Sequence, residues 1–162
     1  MNNPIPTMMT QQSTDTNRAR PSSRGPDDVV PQTFTCNELC DALLAIHRRG
    51  VKVRVIVCGS TVHAKGSDIM QIKEAHIPVR CIKSEQSYHG GSLMHPLMHH
   101  KFVVADKNVP GSEILITGSL NWTRNAILNN NENLLIVRGA PEACAAYAAE
   151  FERLWIRGTQ PE

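Results

Sequence analysis

The sequence predicts an α/β domain, and three observations carry the prediction. Helical and strand-like periodicities alternate along the chain, the strand-like runs are rich in Val and Ile, and Gly or Pro marks several junctions (Gly50, Pro110–Gly111, Pro141). The 162 residues suffice for one domain with one core.

Residues 1–33, "MNNPIPTMMTQQSTDTNRARPSSRGPDDVVPQT", are rich in Asn, Gln, Ser, Thr and Pro and poor in apolar residues, so a disordered polar tail is expected there. Arg18, Arg20 and Arg24 hint at a targeting peptide, but Asp15, Asp27 and Asp28 and the missing amphipathic stripe speak against one. Order is expected over residues 34–158, with 159–162 as a carboxyl-terminal tail. In "TCNE", Thr35 and Glu38 fit a capping box for the helix "LCDALLAIHRR", which Gly50 ends. "VKVRVIV" alternates apolar and basic residues as a half-covered strand does; "SDIMQIKEAHI" reads as a second helix and "PVRCIK" as the next strand. The loop "SEQSYHGGSLMHP" leads into "PLMHHKFVVADKN", read as a strand that the Pro110–Gly111 turn joins to "EILITGS" in a hairpin. A short helix over "TRNAILNN", the strand "NLLIV" and a helix from Pro141, with Tyr147, Phe151, Leu154 and Trp155 on one stripe, complete the chain.

Seventeen Lys and Arg against fifteen Asp and Glu leave a formal charge of +2, too small for a general polyanion binder. Any anion site must be local. The five cysteines, Cys36, Cys40, Cys58, Cys81 and Cys144, are odd in number and lack the paired spacing of a structural zinc site, so they read as buried thiols of a reducing compartment. No run approaches the roughly 20 apolar residues that span a bilayer.

Histidine and lysine are costly on a core strand without a partner or a task, and "MHHKF" carries three such residues. On a strand, His99 and Lys101 share a face, while His100 turns away with Phe102 and Val104 and reads as packed or hydrogen-bonded. Asp106 has the other parity too and is expected to fix the hairpin or pair with a cation. Across the hairpin Ser119 and Asn121 stand two apart, and Gly118 leaves room for close approach. An imidazole and an ammonium facing a hydroxyl and an amide suit a phosphate. Glu132, at the start of the next strand, is a carboxylate that could fix a histidine's tautomer and raise its basicity.

These residues resemble the phospholipase D superfamily, whose motif His-x-Lys-x4-Asp followed by Gly-Ser-x-Asn stands here as His99, Lys101, Asp106, Gly118, Ser119 and Asn121. Over residues 33–157, "LCDALLAIHRRGVKVRVIV", "LITGSLNWT", "NNNENLLIV" and "EFERLW" resemble its branch of mitochondrial cardiolipin hydrolases and Zucchini-type endonucleases. The resemblance implies a three-layer α/β/α sandwich, and one motif copy per chain implies a homodimer whose two motifs meet in one site. It further implies a phosphodiesterase without metal or other cofactor. His99 attacks phosphorus to give a phosphohistidine, and the partner subunit's His99 protonates the leaving oxygen. Lys101, Ser119 and Asn121 hold the non-bridging oxygens, Glu132 orients a histidine, and Asp106 completes the motif. Family members carry a strand or two before the first helix, for which only Val29 and Val30 are candidates here, so the resemblance leaves open whether the sheet keeps its amino-terminal strand. The relatives' outer-membrane location, on the cytosolic face of mitochondria, relies on an anchor that is not evident in this sequence; a truncated or alternatively spliced, cytosolic product is the other expectation.

Three substrate readings follow. A single-stranded RNA or DNA endonuclease of the piRNA-processing type is favoured, a cardiolipin hydrolase yielding phosphatidic acid is the alternative, and an inactive scaffold is the third. His89 and His95 could line a phosphate groove or be merely solvated. Arg48, Arg49, Lys52 and Arg54 are expected to form a solvated basic face.

Overall fold

The computed structural model describes residues 25–84, 87–89, 92–94 and 97–162. Its elements run β1 (Asp27–Gln32), β2 (Phe34–Thr35), α1 (Asn37–Arg48), β3 (Val53–Cys58), a 3-10 turn (Gly59–Thr61), α2 (Ile69–Glu74) and β4 (Val79–Ile82). The second half adds β5 (Ser87–His89), β6 (Ser92–Met94), β7 (Phe102–Ala105), β8 (Ile114–Gly118), β9 (Trp122–Thr123), α3 (Arg124–Asn129), β10 (Leu134–Arg138) and α4 (Pro141–Arg157). Six strands form a mixed sheet in the order β10-β8-β7-β1-β3-β4. β1, β3 and β4 are mutually parallel, and the hairpin β7–β8 and then β10 continue the sheet antiparallel.

Alternation along the central strands builds two cores. Val29, Val55 and Val57 pack with Cys40 and Leu43 of α1 and Ile69 and Ile72 of α2. Val30, Ile56, Cys58, Phe102 and Val104 face the other way, onto Cys144, Phe151 and Leu154 of α4. Each such side chain contributes roughly 1.5–3 kcal/mol when fully buried, and the result is the expected α/β/α sandwich.

The sheet keeps its amino-terminal strand. Residues 27–32, assigned from the sequence to a disordered tail, form β1 at the sheet centre, paired with β3 on one side and β7 on the other. Two aspartates and a proline disguise it. Pro31 costs no ladder bond with β7, because that pairing ends at Val30↔Phe102. Asp27 accepts the Asp106 backbone N–H at 3.1 Å, and Asp28 accepts from Arg54 Nε at 2.9 Å. The domain boundary therefore lies before Asp27, and residues 1–24 lie outside the described residues.

Smaller corrections have similar causes. The capping box at "TCNE" does not form, since Thr35 pairs with Thr123 in the β2–β9 ladder and Cys36 occupies the N-cap with its thiol donating to Glu38 Oε2 at 3.3 Å rather than capping the helix. Glu38 turns instead to Arg124 at 2.6 Å. β3 is covered on both faces rather than one, as a central parallel strand is. Arg54, expected on a solvated face, lies over the rings of Phe151 and Trp155, 4.7 and 5.1 Å from their centroids. The expected loop ahead of β7 contains a small antiparallel pair, β5–β6, in register Tyr88↔Leu93. The carboxyl-terminal tail docks on β4 through a Cys81↔Thr159 bridge.

Candidate active site

Because β7 runs antiparallel to β1, the start of β7 lies at the carboxyl edge of the parallel strands, with Val30 opposite Phe102. Phe102 in turn faces Thr117 near the end of β8, and Gly118 faces Leu134 at the start of β10. The segments just outside these termini converge on the sheet edge where α/β proteins bind ligands.

His99 and Lys101 precede β7 rather than lying within it, yet their shared side holds. Lys101 Nζ is 2.9 Å from His99 Nδ1 and 2.8 Å from the His99 carbonyl oxygen. Lys101 is buried to 7% exposure, while the His99 ring is exposed. Burial pushes the Lys101 ammonium below the usual lysine range, and attraction to Glu132 opposes that shift. His100 takes the opposite side, as expected: its ring meets Phe102 edge-on at 5.9 Å, and its Nε2 stands 3.2 Å from Glu150 Oε1 on α4.

The second wall is a knot of hydrogen bonds between the strand ends. Ser119 Oγ donates to Glu132 Oε2 and accepts from the Asn133 backbone N–H at 3.0 Å. The Ser119 N–H donates to Asn133 Oδ1 at 2.9 Å, and Asn130 Nδ2 donates to Glu132 Oε1 at 2.9 Å. Gly118 is required for this closeness, because a Cβ there would lie 2.9 Å from the Asn133 carbonyl carbon. The bonds from Ser119 and then Asn130 hold the Glu132 carboxyl below its ordinary range, and Lys101 adds to the effect. Asn121 Oδ1 is buried without a hydrogen-bond partner among the described residues. Rotating that amide half a turn offers Nδ2 as a donor from the same place.

The structure thus brings His99, Lys101, Ser119 and Glu132 to one edge. Asp106 is elsewhere: it sits beyond the far end of β7, about 16 Å along the chain from Lys101 at strand spacing. There it is buried with φ 54°, and its backbone N–H is held by Asp27. It fixes the hairpin corner, which its parity suggested, and does not line the site. Glu132 is hydrogen-bonded to Ser119 and Asn130, not to His99 of its own chain. His89 lies on β5, and His95 lies outside the described residues. Sequence reasoning passed over Asn130 and Asn133, although the run "NNNEN" around Glu132 is an unusual density of amides to precede a strand. Among the described residues, no group of three or more His, Cys, Asp or Glu side chains is placed to hold a metal ion. An exposed imidazole beside a buried ammonium, walled by hydroxyl, amide and carboxylate, can cradle an anion and attack it.

The sequence matches the family described as "Cardiolipin synthase, PLD-like domain" over residues 22–155, a span that includes β1. The chain belongs to this phospholipase D-like family. It is 42% identical over 123 residues to a mitochondrial cardiolipin hydrolase of Xenopus tropicalis, covering 76% of this chain and 51% of that protein. Against the human mitochondrial cardiolipin hydrolase it is 38% identical over 138 residues, covering 85% and 48%. The chain spans about half the length of these curated relatives. Among solved structures it is similar to NucT from Helicobacter pylori (TM-score 0.70, 22% identity, 85% of this chain and 84% of that one). It is also similar to Nuc, a phospholipase D family member from Salmonella typhimurium (TM-score 0.68, 22% identity, 84% and 81%). At that identity the structures speak to the fold, and they share the sandwich described above.

Proposed function

We propose that the chain is a metal-independent phosphodiesterase that works through a phosphohistidine. The observation that carries the reading is the buried Lys101 ammonium 2.9 Å from the exposed His99 ring, at an edge shared with Ser119 and Glu132. In the first step His99 Nε2 forms a bond to phosphorus while the bond to the leaving oxygen breaks, and that oxygen takes a proton from a second histidine. In the second step water attacks phosphorus, gives its proton to that histidine and releases His99. Lys101, with Ser119 and Asn121, balances the charge on the non-bridging oxygens. With Lys101 donating to Nδ1, the neutral ring carries its proton on Nε2; an Nε2 nucleophile needs the proton on Nδ1, which a carboxylate stabilises.

One chain supplies one such histidine, and its own Glu132 is engaged by Ser119 and Asn130. A two-fold homodimer brings the missing second His99 and sets both Glu132 carboxylates at one shared site. Leu134, Leu135 and Ile136 of β10, each about half exposed immediately after Glu132, support this assembly. For substrate we favour single-stranded RNA or DNA, of the kind a Zucchini-type endonuclease cuts. The second reading, cardiolipin hydrolysis at a mitochondrial surface, draws support from the names of the relatives; among the described residues no helix is long and apolar enough to cross a membrane.

The test incubates the purified protein with labelled single-stranded RNA and, separately, with cardiolipin vesicles, both in strong chelator, beside His99→Ala. Cleavage of RNA that survives chelation and vanishes in the variant is expected. Dependence on added metal contradicts the mechanism, and hydrolysis of cardiolipin alone transfers the reading to the lipid.

A further inference from the structure

The groove beside His99 carries a second cluster of cations that the chemistry above does not use. It has a volume of about 320 Å³ and lies between the end of β4 and the carboxyl-terminal half of α4, with Lys83, Arg153 and Arg157 joining His99 and His100 in its walls. Arg153 and Arg157 are four residues apart on α4 and so project from one side of it. Arg157 has no ion pair or hydrogen-bonding side-chain partner among the described residues. Lys83 meets Glu162 at 2.7 Å in a pair exposed on both sides, the kind that exchanges readily for a stronger anion. Arg153 is held by Glu150 at 2.7 Å, and Glu150 also meets His100 at 3.2 Å. Among the described residues, the acidic groups near the groove are thereby engaged with Lys83, Arg153 and His100, leaving Arg157 as its uncompensated charge.

The apolar part of the lining is not suited to acyl chains. Met98 and Leu154 are core residues, buried to 6% and 3% exposure, and among the described residues Leu97 alone of the groove's large apolar side chains is well exposed. The groove therefore offers charge more than grease. We propose that it is a subsite for a phosphate flanking the scissile one on a single-stranded polynucleotide, with Arg157 and Lys83 as its phosphate contacts. The inference rests on the phosphodiesterase reading above and extends it from one phosphate to a chain of them.

Two measurements separate the subsite from the reading beneath it. In a His99→Ala background, fluorescence anisotropy of a labelled single-stranded RNA should show Lys83→Ala/Arg157→Ala weakening binding about tenfold, and the slope of log affinity against log salt should flatten by about 1.4, two contacts at ~0.7 each. Lys83→Arg/Arg157→Lys should restore most of both. In the active protein, the ratio of kcat/KM on RNA to kcat/KM on bis(p-nitrophenyl) phosphate, a single diester with no flanking phosphate, should fall about tenfold in the double alanine variant. Unchanged affinity and slope, or equal losses on both substrates, overturn the subsite and leave the active-site reading standing. Cleavage of neither substrate by the unsubstituted protein takes down both. With cardiolipin vesicles assayed in parallel, a loss in the double alanine variant confined to them assigns the groove to a lipid headgroup and overturns the polynucleotide.

Discussion

At one end of β1, Asp28 is fully buried yet surrounded by charge. Arg54 Nε and Nη2 donate to it at 2.9 and 2.8 Å, Lys107 donates to its other oxygen, and Arg54 reaches on to Glu152 at 2.6 Å. At the other end, Lys101 is almost as buried, but its hydrogen-bonding neighbours are the His99 ring and carbonyl, Asn121 Oδ1 has no partner among the described residues, and the His99 ring is open to solvent. The first cluster pairs each charge and ties β1 to β3, the β7–β8 hairpin and α4. The second gives the Lys101 ammonium no carboxylate hydrogen bond, only the longer-range attraction of Glu132, and leaves hydrogen-bonding capacity open, an arrangement that costs stability and suits an incoming anion. One end of the sheet is built for stability and the other for chemistry.

The sharpest way to break the comparison is His99→Ala. Losing the nucleophile should lower phosphodiester cleavage by about 10⁴-fold or more, while the melting temperature, followed by circular dichroism, stays put because the ring is exposed. Asp28→Ala should do the reverse. It strands Lys107 and leaves Arg54 only Glu152, so chemical denaturation should show a loss of up to about 3–5 kcal/mol, while the folded fraction retains its rate. Lys101→Met separates function from stability in a single residue: cleavage should fall by about 10²–10³-fold, yet the variant should melt no lower than the parent. The pH dependence gives the sign. Because burial depresses the Lys101 pKa in the fold, the folded protein binds fewer protons than the unfolded chain between that depressed value and the ordinary lysine range, so this group's contribution to stability rises with pH across that window. Lys101→Met should lose that rise, and thermal melts at increasing pH read it directly. The smallest effect belongs to His100→Ala, whose contacts are Phe102 and Glu150; activity should fall by less than about tenfold.

Most of this was legible in the sequence because it follows from periodicity. Strand parity separated His99 and Lys101 from His100, although β7 itself begins only at Phe102, and it also set Asp106 apart from the site that the family motif groups it with. β1 was hidden because its stability comes from partners distant in sequence. Two aspartates in "DDVVPQ" look solvated until Arg54, Lys107 and the Asp106 backbone are beside them. The capping box failed for a related reason, with the β2–β9 ladder outcompeting a local hydrogen bond at Thr35. Asn130 and Asn133 escaped notice because their role is to hold Ser119 and Glu132, and side chains that act through others leave no spacing rule to read.

The central claim is that His99 becomes covalently phosphorylated during turnover. Rapid quenching of the reaction on ³²P-labelled single-stranded RNA at alkaline pH, followed by peptide mapping, tests it most directly. The account predicts a phosphoramidate on His99 that is stable to base, labile to acid and absent from His99→Ala. An adduct on His100 or any other residue, or rapid turnover with no adduct at all, would contradict it.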